Sequence, residues 1–271
     1  MGRLLPGTLL LAAALLGCGD RQPYVTLPRL ERGLVVVLPG IEGRGPINEA
    51  ICRGLDEGGV KWAIELWDWT TPLAYFANLR DEAGNRRKAD ELVSRIVRYQ
   101  MGYPGRPVVL IGQSGGGGFA TWVLEALPEP TRVKGAILLA AALSGEYMLD
   151  RALARAEEGI ISFYSERDWF LLGVGTTISG TMDGKHAESA GKVGFRVPTD
   201  GARAELYRKL YQVAWLPDMA ETGHTGRHIT TGSAAFVATY VAPFVLAKRW
   251  DEQLVAEVLL RNSAPRPGPV P

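Results

Sequence analysis

The sequence predicts an α/β fold: a mostly parallel sheet with helices on both faces. Short apolar, β-branched runs at residues 34–38, 107–111, 133–141 and 159–164 have the unbroken hydrophobicity of strands buried on both sides. Helical periodicity stands between them, clearest at 85–101, where Ala89, Leu92, Val93, Ile96 and Val97 share one face. The 271 residues are 46% hydrophobic and 22% charged, which suits one globular domain with a substantial core.

The composition also excludes some functions. A net charge of +1 points to no nucleic-acid partner. The three histidines and two cysteines form no metal-ligand cluster. No internal repeat is visible, and nothing signals an oligomeric state.

At the N-terminus, Arg3 precedes an apolar run at 4–16 that is too short for a comfortable membrane span. Leu15-Leu16-Gly17-Cys18 resembles a bacterial lipobox, in which the chain is cut before the cysteine and the cysteine is lipidated. Residues 1–18 are therefore expected to be a lipoprotein signal. Cys18 would carry the lipid that anchors the chain to the membrane of a bacterial cell envelope, facing the periplasm or the surface. Gly19 is not the aspartate associated with inner-membrane retention in some bacteria, which leans toward outer-membrane sorting. Cys52 then lacks a partner, so no disulfide is expected, and its place is the buried face of the first helix. Residues 19–32 are polar, carry Pro23 and Pro28, and read as a tether.

The first strand, 34–38, leads into Pro39-Gly40-Ile41-Glu42-Gly43. A short helix is expected at 48–58 and a strand at 61–66. Trp67-Asp68-Trp69-Thr70-Thr71-Pro72 then leaves the carboxyl end of that strand, where open α/β sheets bind ligands. Trp67 and Trp69 line a substrate pocket or pack the core, with equal weight. The helix at 85–101 ends in Tyr103-Pro104-Gly105.

The strand at 107–111 runs into Gly112-Gln113-Ser114-Gly115-Gly116, which fits G-x-S-x-G, and residues 119–127 read as a helix stopped by Pro128. Strand, pentapeptide and helix in this order form the setting of a nucleophile elbow. The serine sits on a strained turn with its hydroxyl clear of the backbone. Glycines at 112 and 116 keep side chains out of a close approach. The Gly115 N–H, at the positive end of a helix, can face an oxyanion.

On these residues the chain resembles the α/β-hydrolases, over roughly 33–248. The resemblance implies a serine esterase or lipase-like enzyme with a reduced version of that fold. It would have no large cap domain and lack the first two antiparallel strands, since only 24–27 remain to form one. It also implies that the loop after the first strand supplies a second oxyanion donor, the Ile41 N–H, with Gly40 allowing the turn. The family often has His-Gly where this chain has Pro-Gly. Gly40 and Gln113 fall in the expected substrate pocket.

Further along, a strand is expected at 133–141, a helix at 146–158 and a strand at 159–164. Ser165-Glu166-Arg167-Asp168-Trp169 follows, where the family places its acid; Asp168 is the candidate, with Glu166 behind it. Residues 173–195 read as a long loop able to act as a flap, with His186 on its surface. A helix at 204–211 and a last strand at 212–216 precede a loop at 217–232 that holds His224 and His228. Ser233 reads as the N-cap of a helix at 234–246. The order Ser, Asp, His matches the family. Resemblance favours His228 as the base, with His224 second. Residues 249–271 are expected to hold a further helix and a frayed, proline-rich tail.

The expected chemistry is hydrolysis of an ester or related acyl bond by Ser114, His228 and Asp168, without a cofactor. The substrate could be a small-molecule, carbohydrate or lipid ester, or a thioester. A non-catalytic envelope lipoprotein with the same fold, or an acyltransferase with the same triad, would share most of these features.

Overall fold

The computed structural model describes residues 22–168, 171–172, 176–177, 181–199 and 201–263. The segment expected to be a signal, Cys18 and the proline-rich tail lie outside the described residues.

Strands β1 (Leu34–Leu38), β2 (Ala63–Leu66), β3 (Val108–Gln113), β4 (Val133–Leu139) and β5 (Ala156–Tyr164) belong to one sheet. A two-stranded antiparallel ribbon, β6 (Leu171–Leu172) and β7 (Thr176–Thr177), stands apart, and β8 (Leu210–Ala214) completes the sheet. The order is β2-β1-β3-β4-β5-β8, and every pairing is parallel. This is the parallel α/β sheet the sequence predicts. No large cap domain appears among the described residues.

The continuous apolar runs follow from the two-sided burial. Val36, Leu38, Leu110, Leu138 and Ile160 face one core, beneath helices at Glu82–Gly102 and Gly115–Ala126. Val35, Val37, Val109, Ile111, Ile137, Leu139 and Phe163 face the other, covered by a helix at Pro46–Glu57 and the helical stretch 234–246. Alternate side chains point to opposite faces, and both faces are dry.

Strand order places the site. From β1 the chain moves outward to β2, then crosses to the other side of β1 to form β3. The order reverses between β1 and β3, and the crevice outside their carboxyl ends is where such sheets bind ligands. The 39–43 loop leaves one of these strands and Ser114 leaves the other.

Several local expectations change. The segment read as a tether is docked from residue 22 onward. Leu30 is fully buried, the Tyr99 hydroxyl donates to its carbonyl at 2.7 Å, and Gln22 exchanges two hydrogen bonds with the Leu66 backbone. The helix expected at 146–158 is only Asp150–Arg155. Strand β5 begins at Ala156, because that residue pairs with Val133 of β4. An unforeseen short helix spans Tyr75–Arg80. The last helix and strand before the histidine loop fall at Gly201–Tyr207 and Leu210–Ala214.

The helix at 234–246 is broken into Ala234–Phe236, a π turn at Val237–Val241 and Ala242–Leu246. Pro243 has no N–H for the ladder and crowds the carbonyl four residues back, and a widened turn relieves both problems. Ser233 holds the N-cap position, as expected, but its hydroxyl does not cap the helix; it donates to Thr222 O at 2.6 Å. The segment 181–199 is no free loop. Met182, Ala190 and Phe195 are buried, and Ala190 N and Gly191 N bond to Leu143 O and Ala141 O. His186 is exposed, as expected. Cys52 is buried and free on the first long helix, and burial pushes its thiol up to about 12, so it stays protonated and inert. Among the described residues, no helix is long and apolar enough to cross a membrane.

Candidate active site

Ser114 is the hinge between β3 and the helix Gly115–Ala126. Its backbone lies at φ 55°, ψ −120°, a conformation that costs a residue with a side chain free energy. Packing imposes it: Ser114 N donates to Leu139 O at 2.9 Å, and Ser114 O accepts from Gly117 N at 2.9 Å and Ala142 N at 3.0 Å.

The flanking glycines answer to contacts. A side-chain carbon on Gly112 would stand 2.2 Å from Gly116 O, and one on Gly116 would stand 2.1 Å from Leu38 O. Both obstacles are backbone atoms. Gly116→Ala is therefore expected to destabilise the fold by about 3 kcal/mol. A thermal melt should show the midpoint lowered by several degrees; an unchanged midpoint would mean that strand and helix have room to separate.

Three of the candidate residues meet in one chain. His228 opens a 3₁₀ turn, His228–Gly232, and its Nε2 lies 2.7 Å from Ser114 Oγ. Its Nδ1 lies 2.9 and 3.0 Å from the two Asp168 carboxylate oxygens. All three residues are buried. A carboxylate accepts only, so His228 carries its proton on Nδ1 and leaves the Nε2 lone pair facing the serine hydroxyl. An imidazole held in this way can take the hydroxyl proton. Glu166, the second-choice acid, is exposed.

His224 has a different place. Its ring packs on Phe236 at 4.5 Å, and its Nδ1 lies 3.0 Å from Thr230 Oγ1. That hydroxyl donates to Arg227 O at 2.7 Å, so its single proton is used and His224 Nδ1 must be the donor. Trp215 Nε1 donates to His224 O at 2.7 Å. His224 thus pins the loop that presents His228.

Burial lowers the His224 pKa to about 4. Unfolding releases this ring to an ordinary value near 6.5, so the unfolded chain binds the extra proton between about pH 6.5 and 4. The resulting stability is complete above about pH 6.5 and lost progressively down to about pH 4, about 3 kcal/mol at full amplitude. Denaturant melts of wild type and His224→Gln across this window should show a steeper acid loss in wild type. Parallel curves would contradict the assignment.

Above the serine, Ile41 and Gly115 lie side by side. A side-chain carbon on Gly115 would stand 3.3 Å from Ile41 N and 2.7 Å from Ile41 Cγ2. The two backbone nitrogens therefore stand within about 6 Å of each other, close enough to reach one oxygen at about 2.7–3.1 Å each. Among the described residues, neither N–H donates to a backbone carbonyl. Met182, absent from the sequence reading, backs this spot with its sulfur 3.3 Å from the same Gly115 position.

The pocket candidates fare unevenly. Gly40 sits beneath Glu42, whose carboxylate oxygen would be 2.2 Å from any side-chain carbon at position 40. Burial raises the Glu42 pKa, opposed by its own and the Gly40 backbone N–H groups and by His228. Gln113 is buried. Trp67 is half-buried against the core. Trp69 follows the core-packing alternative: it is 2% exposed, stacks on Phe119 at 4.8 Å, and donates Nε1–H to Pro39 O at 2.8 Å. No metal-ligating cluster is present among the described residues.

No family model and no curated protein matches this sequence. Among solved structures, the chain is similar to Est1E from Butyrivibrio proteoclasticus (12% identity, TM-score 0.48, covering 83% of this chain and 89% of that one). It is also similar to TT1662 from Thermus thermophilus (17%, 0.46, 80% and 90%) and to a cutinase-like protein from Cryptococcus sp. (15%, 0.42, 79% and 93%). These are likenesses in the course of the chain; the chemistry of the site rests on its own residues.

Proposed function

We propose that the protein is a serine hydrolase that cleaves an ester or related acyl bond through a covalent acyl-enzyme. The observation that carries this reading is the continuous hydrogen-bonded chain from Asp168 through His228 to Ser114, at the carboxyl ends of a parallel sheet. Ser114 Oγ attacks the acyl carbon as His228 Nε2 takes its proton. Asp168 holds the imidazole in the working tautomer and stabilises its charged form. The N–H groups of Ile41 and Gly115 receive the developing oxyanion, and each such donor is worth about 3 kcal/mol. His228 returns the proton to the leaving alcohol. Water, deprotonated by the same imidazole, then releases the acid and frees Ser114. The cycle needs no cofactor.

The substrate class is a small-molecule or lipid ester. The test is rapid mixing with p-nitrophenyl esters of increasing acyl length. A burst of one p-nitrophenol per protein, and an acyl mass on the peptide carrying Ser114, are the expected results. Hydrolysis without a bound acyl group would contradict the covalent route.

We also propose that Cys18 is lipidated and holds the enzyme at the membrane of a bacterial cell envelope. Cys18→Ser is expected to move the protein from the membrane fraction to the soluble one. An unchanged distribution would contradict the anchor.

A further inference from the structure

Three successive carbonyls in the oxyanion loop are each taken up by a donor. Pro39 O accepts from Trp69 Nε1 at 2.8 Å, Gly40 O from Gly43 N at 3.0 Å, and Ile41 O from Asn78 Nδ2 at 3.0 Å. The Ile41 N–H belongs to the peptide whose carbonyl is Gly40 O, and a planar peptide points its N–H opposite its C=O. Fixing that carbonyl and the two beside it fixes the direction of the N–H.

Two of these donors come from a single segment, residues 69–78. Both are only 2% exposed. Trp69 is stacked on Phe119, in the helix that starts at the serine, with ring planes 14° apart. Asn78 is matched on every side-chain polar position. Its Oδ1 accepts from Thr71 N at 2.8 Å, and its Nδ2 donates to Thr71 O at 2.9 Å as well as to Ile41 O. Asn85 Nδ2 donates to Asn78 O at 2.8 Å, tying it to the helix Glu82–Gly102. Between the two donors, Leu73 is held at φ 61°, a left-handed conformation that costs a residue with a side chain about 1–2 kcal/mol. The double clasp of Asn78 on Thr71 keeps that turn closed.

We propose that Asn78 and Trp69 are positioning residues that aim the Ile41 N–H at the oxyanion. The inference rests on the acyl-transfer reading of the site. It implies a contribution confined to the transition state, since a carbonyl substrate in its ground state asks little of this donor.

Asn78→Asp separates positioning from packing. It keeps the side-chain shape but places an acceptor against Ile41 O and Thr71 O. Trp69→Phe keeps the stacked ring and removes only the Nε1–H, so it serves if the first variant fails to fold. For each, kcat and KM on a p-nitrophenyl ester are measured per folded protein, beside the affinity for a phenylboronic acid, which forms a tetrahedral adduct on an active serine. Misdirecting one donor is expected to lower kcat about 10- to 100-fold, with KM nearly unchanged and boronate affinity falling in parallel. Wild-type kcat per folded molecule in both variants, whatever their thermal midpoints, would overturn the proposal. So would a rise in KM alone. A wild type that binds no boronate and turns over no ester would overturn the acyl-transfer reading itself, which separates the two failures.

Discussion

Ser114→Ala is expected to reduce ester turnover about 10⁶-fold, and His228→Ala to match it. The two losses should not add. The imidazole at 2.7 Å has no work without the hydroxyl, and the hydroxyl is a poor nucleophile without the imidazole. The double variant should therefore turn over substrate no more slowly than either single one, and what remains reflects the two backbone N–H groups. Steady-state rates on an activated ester check this, with circular dichroism to show that each variant is folded. Alanine fits easily at 228, and at 114 it retains the strained backbone without adding atoms. If the losses multiplied, serine and histidine would be acting in separate steps.

Asp168→Asn is expected to cost about 10⁴-fold in kcat with little change in the fold. The carboxylate presents only lone pairs to His228 Nδ1, at 2.9 and 3.0 Å. An amide can turn its NH₂ to the ring instead, which favours the tautomer with its proton on Nε2. That tautomer cannot accept from Ser114. The exposed Glu166 offers no substitute, so adding Glu166→Gln to Asp168→Asn should cost nothing further. Rates measured from pH 6 to 10 test this, and recovery of most of the activity at any pH in that range would contradict a fixed-tautomer role.

The sequence showed the frame well because parallel strands buried on both faces leave unbroken apolar runs, as at Val35-Val36-Val37 and Val108-Val109-Leu110. The elbow was legible for a related reason. Gly112 and Gly116 are demanded by backbone contacts that no other residue meets, so the motif reports geometry directly. The choice between His224 and His228 was not legible from spacing, since both lie in one loop. It depends on which ring Thr230 and Phe236 engage. Trp69 stands where a pocket residue would, yet faces Phe119 instead of the crevice. The docking of residues 22–32 was hidden because its apolar contacts are scattered at Tyr24, Val25 and Leu30 without a helix or strand period, and its polar ones, such as Tyr99 to Leu30 and Arg29 to Asp56, are long-range. At Ala156-Glu157-Glu158, good helix formers were drawn into a strand by pairing with β4, an override that local propensity cannot anticipate. Asn78 carries no motif at all; only its partners reveal it.

The proposed cycle depends on activation of Ser114 by His228. Fluorophosphonate labelling of protein lacking residues 1–18, read by intact mass and peptide mapping, tests it most directly, beside Ser114→Ala, His228→Ala and His224→Ala. A single adduct on Ser114, lost in Ser114→Ala and His228→Ala and retained in His224→Ala, is the predicted result. Absence of the adduct from folded wild-type protein, or its persistence in His228→Ala, would mean that His228 does not activate Ser114.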